Sequence, residues 1–377
     1  MGTLAEVLDG LTVEGELYRR HDDGSVDCYA CGHRCLIRPG KRGICKVRFN
    51  DGGVLRVPWG YVAALQCDPT EKKPFFHVLP GSDTLTFGML GCDFHCPYCQ
   101  NWVTSQALRD PASDDIAGST VRRTTPAELV AGGLRMGAQV VASSYNEPLI
   151  TSEWSRAVFE EARRAGLVCA YVSNGNATPE VLDYLRPWVT AYKVDLKTMR
   201  DKAYRQLGGV LDHVLETIRG THEAGFWVEV VTLIIPGFND STDELMDAAR
   251  FLVSISADIP WHVTAFHKDY RMTDPDNTTA ATLIRAAEIG QEAGLHYVYA
   301  GNLPGQVGPY ENTMCPSCRT VLIERLGYVI LGYHLTADGC CPKCGVAVPG
   351  HWTSHPDEVR LGRASDLFVR VPRRVRA

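Results

Sequence analysis

The sequence predicts an α/β protein whose central part is a partial TIM-like barrel of the (β/α)6 type, with a small cysteine-rich module on each side. Two observations predict this arrangement. Between about residues 84 and 302, short apolar runs alternate with helical patterns, which is typical of β/α units around a parallel sheet. All of the 14 cysteines except Cys67 and Cys169 fall into three tight groups, two of which lie outside this alternation.

Seven apolar runs in the central region are predicted to be strands. They cover residues 84–90, 139–145, 168–173, 191–196, 227–235, 262–266 and 296–300. Two helix starts are well marked, because Thr178 precedes Pro179, and Ser241 with Glu244 matches a capping box. In a barrel of this type, polar residues just past the C-terminal ends of the strands face the active site.

The expected domains are an N-terminal module over residues 1–80, the barrel over 81–305, and a C-terminal module with a basic tail over 306–377. The chain carries 38 basic and 44 acidic side chains, and its net charge of −6 does not favour nucleic acid or an anionic membrane as a partner. No apolar run reaches the roughly 18 residues of a membrane helix, and the N-terminus lacks a signal-peptide pattern. We therefore expect a cytoplasmic protein, in which clustered thiols indicate metal binding rather than disulfides.

The central group of cysteines follows the first predicted strand directly. Cys92, Cys96 and Cys99 have the spacing C-x3-C-x2-C. Three thiolates can hold three irons of a [4Fe–4S] cluster, and without a fourth thiol nearby one iron stays open to a small ligand. The alternative is a zinc knuckle that borrows a distant ligand. The position at the start of a β/α domain favours the iron–sulfur cluster.

This triad resembles that of the radical SAM superfamily, whose members cleave S-adenosylmethionine (SAM). Over residues 28–352 the chain resembles one branch, the radical SAM enzymes of the AmmeMemoRadiSam system, which are similar to the activating enzymes of pyruvate formate-lyase. The segments that carry this resemblance are residues 68–81, 96–102, 194–197, 231–240, 259–262 and 297–302. It implies SAM and a [4Fe–4S] cluster as cofactors, a 5′-deoxyadenosyl radical that abstracts a substrate hydrogen, and an electron donor such as flavodoxin or ferredoxin.

The resemblance also implies contacts with SAM. Tyr98 fits the family's aromatic residue beside the adenine. Glu147, with the backbone around Asn146, would bind the methionyl amino group, and a carboxylate suits an ammonium. Tyr145 and Asn146 stand where the family motif has two glycines.

Two further strand ends carry polar side chains. Ser173 and Asn174 either form an ordinary turn or hold the ribose hydroxyls of SAM. Asp195 and Lys197 lie on the same face of a short strand. They either pair with each other as structural support or contact SAM or substrate.

The resemblance does not fix the substrate. His262, His267 and Tyr270 are candidates for the substrate side, with a buried and fully hydrogen-bonded histidine as the equal alternative. Lys268 stands where the family usually has proline. We expect modification of a small metabolite or a peptide, or formation of a glycyl radical on a protein. The alternative class of function is a non-catalytic zinc-binding adaptor.

The two flanking groups each supply four thiols. The N-terminal set is Cys28, Cys31, Cys35 and Cys45. The C-terminal set is Cys315, Cys318, Cys341 and Cys344, in two C-P-x-C pairs, with Cys340 as an extra. Zinc is the expected metal at both, as a closed structural site at the N-terminus and as a zinc ribbon with a hairpin over residues 321–333. A second iron–sulfur cluster is the alternative at the N-terminus, and the ribbon is expected to be structural, to cover the barrel mouth or to recruit a partner.

Overall fold

The N-terminal region consists of one short helix and eight short strands. The structure, a computed structural model, describes residues 3–368 and 373–374, so most of the predicted basic tail lies outside the described residues. The elements are α1 (Leu4–Asp9), β1 (Thr12–Glu14), β2 (Tyr18–Arg20), β3 (Val26–Cys28), β4 (Leu36–Ile37), β5 (Phe49–Asp51), β6 (Val54–Pro58), β7 (Tyr61–Val62) and β8 (Ala64–Pro69). Two small antiparallel sheets result, in the orders β1-β6-β5 and β2-β3-β4.

The central region alternates strands and helices as the sequence predicts. Its elements are β9 (Asp83–Gly88), α2 (Trp102–Ser105), α3 (Pro111–Thr120), β10 (Arg122–Arg123), α4 (Pro126–Arg135), β11 (Ala138–Ser143), α5 (Ser152–Arg164), β12 (Val168–Ser173), α6 (Pro179–Leu185), β13 (Ala191–Asp195), α7 (Asp201–Leu207), α8 (Leu211–Glu223), β14 (Trp227–Ile234), α9 (Thr242–Val253), β15 (Trp261–Ala265), α10 (Ala280–Glu292) and β16 (Val298–Gly301). All seven predicted strands occur, with ends that differ by no more than about two residues.

The C-terminal region contains the predicted hairpin. Its strands are β17 (Thr313–Met314), β18 (Val321–Leu326), β19 (Val329–Tyr333) and β20 (Arg373–Arg374). The strands β18 and β19 pair antiparallel. Five 3₁₀ helices complete the secondary structure of the described residues: Thr70–Lys72, Pro148–Thr151, Gly308–Glu311, Pro356–Glu358 and Ala364–Phe368. No helix among the described residues is long and apolar enough to cross a membrane.

One nine-stranded sheet organises the molecule, in the order β16-β15-β14-β13-β12-β11-β9-β8-β20. Neighbours from β9 to β16 pair in parallel, which confirms the predicted α/β fold with a parallel sheet. The two other strands are antiparallel additions at one edge. Because β8 pairs with β9 along its whole length, part of residues 1–80 belongs to this sheet.

Alternating residues of each strand serve two apolar cores, because successive side chains point to opposite faces of a sheet. Val141 and Tyr171 belong to the main core, which also contains N-terminal residues such as Leu55. Val140 and Ala170 instead pack with a segment after β8 that includes Phe75 and Val78. Cys169 is fully buried in the main core.

The two predicted helix starts differ in outcome. The side chain of Thr178 accepts a hydrogen bond from the backbone N–H of Val181, so this cap is confirmed. Ser241 likewise accepts from the N–H of Glu244. The Glu244 carboxylate, however, accepts from the hydroxyl of Thr198 and from the N–H of Met199. The capping box is therefore only half formed: the Glu244 carboxylate does not return to the backbone of Ser241, because it accepts hydrogen bonds from a buried loop that needs an acceptor.

The C-terminal hairpin packs at the beginning of the parallel strands. Its residues Leu322 and Ile330 form a core with Phe76, Tyr297 and Tyr299, and the two tyrosines lie at the start of β16. The cysteine triad follows the end of β9, at the opposite edge. The hairpin module therefore does not cover the mouth of the site, which was one of the expectations from the sequence.

Candidate active site

The loop after β9 carries the three central cysteines into a cleft at the C-terminal edge of the sheet. Cys96 is buried, and Cys92 and Cys99 are half-buried. The N–H of Phe94 donates to Cys92 Sγ at 3.3 Å, and the Ser105 hydroxyl lies 3.2 Å from Cys99 Sγ. Burial raises the pKa of all three thiols, that of Cys96 to about 11. Their thiolate forms therefore need a bound cation, which a metal cluster provides.

The spread of the three sulfurs fits a cluster better than a single ion. Four thiolates around one zinc lie about 3.8 Å apart, because each Zn–S bond is about 2.3 Å. Among the described residues, the C-terminal set alone brings three or more candidate ligand atoms within 4.8 Å of one another. The triad sulfurs are spread more widely, as expected when each thiolate binds a separate iron.

The cleft also gathers most of the SAM contacts predicted from the sequence. It is open to solvent, has a cavity volume of about 110 Å³ and is lined by all three cysteines of the triad. Six of the seven predicted contact residues line it as well: Asn146, Glu147, Ser173, Asn174, Asp195 and Lys197.

The Glu147 carboxylate is buried and held by neighbouring donors. It accepts hydrogen bonds from the Ser173 hydroxyl at 2.8 Å and from the backbone N–H of Asn174 at 2.7 Å. The side-chain amide of Asn174 donates in turn to Asp93 at 2.7 Å. Burial, and then the charge of Asp93, raise the pKa of Glu147 to about 8. A cationic ligand in the cleft would favour the ionised carboxylate.

The loop before Glu147 keeps a glycine-like backbone without glycine. Tyr145 has φ = 71°, in the left-handed region that glycine adopts most easily. Three side chains fix its hydroxyl: Gln66 at 3.1 Å, and Asp68 and Lys73 at 3.2 Å. The Asn146 side chain accepts from the N–H of Met89 at 2.9 Å, which ties this loop to the segment before the triad. Buried contacts of this kind offset the cost of about 1 kcal/mol of the left-handed conformation.

Asp195 and Lys197 form an ion pair, and both also line the cleft. The Asp195 carboxylate lies 3.6 Å from Lys197 Nζ and 3.1 Å from Lys193 Nζ. Burial alone would raise the pKa of Asp195, but the two lysines lower it. Burial alone would lower the pKa of Lys197, but Asp195 and Cys96 raise it. Both side chains are therefore charged at neutral pH.

Two residues predicted for the site differ in outcome. Tyr98 is buried, with its ring edge-on to Phe238 at 6.1 Å, and is close enough to Cys96, Asp195 and Lys197 for their charges to interact, so its place beside the adenine stays a prediction. His262 lies at the start of β15 and is 2.6 Å from Glu229. The substrate-side role expected for His262 is wrong, because the residue is at the beginning rather than the end of its strand.

The other two substrate-side candidates lie on a loop that reaches the cysteine loop. His267 is 2.9 Å from the side chain of Gln100, and the ring of Tyr270 stacks on Trp102 with centroids 5.2 Å apart. The N–H of Arg271 donates to the carbonyl of Pro97 at 3.0 Å. This loop therefore borders the triad from the side of β15.

Two polar residues of the site were not singled out from the sequence. Asp93 is fully buried inside the cysteine loop and accepts from Asn174 and, at 2.8 Å, from Asn176. Lys193 adds a buried cation beside Asp195. A charged residue within a buried cysteine motif and a lysine within an apolar strand are the signals that could have identified Asp93 and Lys193.

The two flanking thiol sets differ in geometry. In the C-terminal set, Cys315 and Cys344 have sulfurs 3.5 Å apart, and those of Cys318 and Cys341 are 3.6 Å apart. These four thiols form a site suited to one metal ion. The N-terminal set, which lies wholly within the described residues, brings no three of its sulfurs within 4.8 Å of one another.

The part of the chain that forms the cleft matches the sequence pattern of a known family. The sequence pattern of the Radical SAM superfamily matches residues 87–252, which include the triad, Glu147 and Asp195. The protein is a radical SAM enzyme. An uncharacterised protein of Methanocaldococcus jannaschii, MJ0808, is 37% identical to this radical SAM enzyme over 314 residues, which are 83% of this chain and 91% of that protein. The non-catalytic adaptor considered from the sequence is therefore wrong.

This radical SAM enzyme is also similar, at lower identity, to characterised proteins. A pyruvate formate-lyase-activating enzyme of Staphylococcus aureus (strain USA300) is 24% identical over 193 residues, which are 47% of this chain and 74% of that enzyme. Among solved structures, a radical SAM methyltransferase from Sphaerobacter thermophilus is 14% identical, with a TM-score of 0.47 and 78% of each chain covered.

Proposed function

We propose that this enzyme holds a [4Fe–4S] cluster on Cys92, Cys96 and Cys99, binds SAM at the open iron, and uses the resulting 5′-deoxyadenosyl radical to abstract a substrate hydrogen. The observation that carries the proposal is one cleft in which three widely spread thiols face a carboxylate and a lysine. The cluster, once bound and reduced, supplies the electron for SAM cleavage.

The side chains of the cleft bind and orient SAM. Glu147 accepts hydrogen bonds from the amino group, which is a charge-assisted contact in a site away from water. Ser173 and Asn174 hold the Glu147 carboxylate in place, so we assign them this positioning role in preference to ribose binding. Asp195 and Lys197 provide one anionic and one cationic group on the facing wall.

Water is kept from the reacting centre by the loop that carries Tyr270. Its ring stacks on Trp102 and its hydroxyl donates to Asp110 at 2.6 Å, so the loop is anchored to the segment that follows the triad. A dry site protects a radical from side reactions. Lys268 lies on the same loop, and we propose that this loop contributes to the choice of substrate.

The substrate is either a small metabolite or peptide, or a protein that receives a glycyl radical. The relative in Staphylococcus aureus that is named as an activating enzyme supports the second version. A reducing compartment such as the cytoplasm, with flavodoxin or ferredoxin as electron donor, suits thiols grouped for metal binding. At the C-terminal set, the sulfur separations of 3.5 Å and 3.6 Å favour a structural zinc ion.

Anaerobic reconstitution tests the proposal. The reconstituted protein should form 5′-deoxyadenosine from SAM and dithionite, and the Cys92→Ala/Cys96→Ala/Cys99→Ala variant should lose about four irons per chain and this activity. Cys340→Ala, outside all three sets of ligands, is the matched control and should change neither. A wild-type protein that carries its iron but forms no 5′-deoxyadenosine would contradict the proposal. Deuterium transfer from labelled candidates into 5′-deoxyadenosine would then identify the substrate.

A further inference from the structure

The four N-terminal cysteines gather beside the candidate active site. Cys28, Cys31 and Cys45 are buried, and Cys35 is half-buried. Each of the other three thiols lies close enough to Cys28 for their charges to interact. The backbone N–H of Ile44 also donates to Cys35 Sγ at 3.5 Å, a contact that stabilises a thiolate. The set is therefore one group of thiols around a common centre.

The sulfurs of this set are spread too widely for one zinc ion. The chain offers its own comparison, because the C-terminal set also has four thiols and brings its pairs to 3.5 Å and 3.6 Å. Among residues 28–45, all of which the structure describes, no three sulfurs come within 4.8 Å of one another. A cubane cluster places each thiolate on a separate iron and so needs the wider arrangement.

The guanidinium of Arg48 and the imidazole of His33 lie next to this set. Arg48 is 1% exposed, forms a buried ion pair with Glu153 at 2.6 Å, and is close enough to Cys28 and Cys45 for their charges to interact. Its Nε, and Nε2 of His33, are buried without a hydrogen-bond partner among the described residues. Such donors stabilise an anionic group, and a cluster on four thiolates is anionic.

The segment that carries this set also contacts the segment that carries the triad. A Cβ atom at Gly91, the residue before Cys92, would lie 3.2 Å from the carbonyl oxygen of Cys45 and 2.9 Å from a methyl group of Val47. On the other side of the triad's first cysteine, His33 Nε2 is 3.9 Å from Asp93. The set thus extends from the half-exposed Cys35 to the segment that carries Cys92.

We propose that Cys28, Cys31, Cys35 and Cys45 hold a second [4Fe–4S] cluster, closed by four thiolates, which supplies electrons to the active site. The metal assignment stands by itself, whereas the electron-supply role rests on the proposed function of the triad. A one-electron donor protein of the flavodoxin or ferredoxin class is oxidised by one electron and this cluster is reduced by one. The same electron then passes to the neighbouring centre, and no bond forms or breaks in the transfer.

Metal content of the full-length reconstituted protein tests the assignment. We expect about eight irons and one zinc per chain, and about four irons in the triad variant Cys92→Ala/Cys96→Ala/Cys99→Ala. A Cys31→Ser/Cys35→Ser variant should also lose about four irons, whereas Cys341→Ser/Cys344→Ser should lose the zinc and keep the iron. About four irons with two zincs per chain would overturn the assignment.

The triad variant tests the second cluster without changing any N-terminal residue. After reduction it should still give the electron paramagnetic resonance signal of a cluster, and SAM should not alter this signal. A triad variant without iron would overturn the inference and leave the proposed function intact. A triad variant that keeps all of its iron would instead contradict the proposed function.

The electron-supply role has a separate readout. The Cys31→Ser/Cys35→Ser variant should form 5′-deoxyadenosine with dithionite within about twofold of the wild type, but at least about tenfold more slowly with reduced flavodoxin. Equal rates with both reductants would overturn the role, because the active-site cluster would then accept electrons directly. Cys340→Ser is the matched control and should behave as the wild type with both.

Discussion

Asp93 and Glu147 are two buried carboxylates that share one asparagine. The backbone N–H of Asn174 donates to Glu147, and its side-chain amide donates to Asp93, both at 2.7 Å. The charge of Asp93 adds to burial in raising the pKa of Glu147. One carboxylate of the cysteine loop therefore controls the protonation of the residue that we propose to bind the amino group of SAM.

Replacement of Glu147 should weaken SAM binding and leave the cluster in place. In Glu147→Gln the charge is lost but the shape is kept, and a hydrogen bond to a charged group contributes about 1.5–3 kcal/mol, which is roughly a tenfold to hundredfold change in Kd. Equilibrium dialysis with SAM and iron analysis measure the two quantities. Glu160→Gln, on the half-exposed face of α5, is the control. Unchanged SAM affinity in Glu147→Gln would remove this residue from the site.

SAM binding should become tighter as the pH rises from 7 to 9. The pKa of Glu147 is raised to about 8, so the carboxylate becomes ionised across this interval, and the ionised form is the better hydrogen-bond acceptor for the amino group of SAM. In Asp93→Asn the neighbouring charge is removed, the pKa of Glu147 falls, and the increase in affinity should move to lower pH. Titrations at several pH values check the shift, with iron content as the control for the cluster. An identical pH profile in Asp93→Asn would show that the two carboxylates are not coupled.

Loss of the C-terminal metal site should affect stability more than catalysis. Cys341→Ser/Cys344→Ser removes two thiols of a four-thiol site, and binding of a structural metal is coupled to folding. We expect one zinc fewer per chain and a Tm lower by roughly 5–10 °C. Catalysis should change little, because this module packs at the end of the sheet opposite the triad. 5′-Deoxyadenosine formation per folded chain should stay within about twofold. A folded variant without activity would instead assign a catalytic role to the module.

The stability of the protein should fall in acid because of another buried carboxylate, that of Glu229. Burial would raise the pKa of Glu229, but hydrogen bonds from His262 and from the N–H groups of Phe76 and His77 hold it at about 2. Burial also lowers the pKa of His77 to about 4. The unfolded chain therefore binds protons that the folded chain does not, first at histidine below pH 6.5 and then at Glu229. The free energy of unfolding should fall as the pH is lowered from 6.5 towards 2.

Denaturant unfolding at several pH values measures this effect. Glu229→Gln should lose about 1–3 kcal/mol of stability at pH 7, because it leaves buried donors without their anionic acceptor. Its stability should also depend less on pH below 4.5. Glu324→Gln, at an exposed position of β18, is the control. A variant with the same acid sensitivity as the wild type would show that Glu229 is not its source.

The parallel α/β fold was predictable because it depends on local patterns. Apolar runs of strand length between helical patterns occur at a spacing that few other folds produce. The caps show the limit of such reasoning. Thr178 caps its helix through a local contact that the sequence specifies. The Glu244 side chain goes instead to a loop 45 residues away in the chain, through a contact that no local pattern contains.

The candidate site shows the same division. Cys92, Cys96 and Cys99 could be identified from their spacing, and Glu147 from its position after a strand and from the resemblance to a family. Tyr98 fits the family pattern as well, yet it packs against Phe238, which comes from a distant part of the chain. A motif specifies which residues are close in the chain, but the direction of a side chain depends on neighbours that the fold supplies.

The sequence by itself determined the strands, the three groups of thiols and the family of this protein, since all of these depend on residue types at short spacings. Tertiary structure alone decided the rest. It joined Asp93 to Glu147 through Asn174, placed His262 at the far end of the sheet and set the Cys45 carbonyl and Val47 against Gly91. These relationships arise where distant segments must satisfy each other's buried polar groups, and that requirement exists only once the chain is folded.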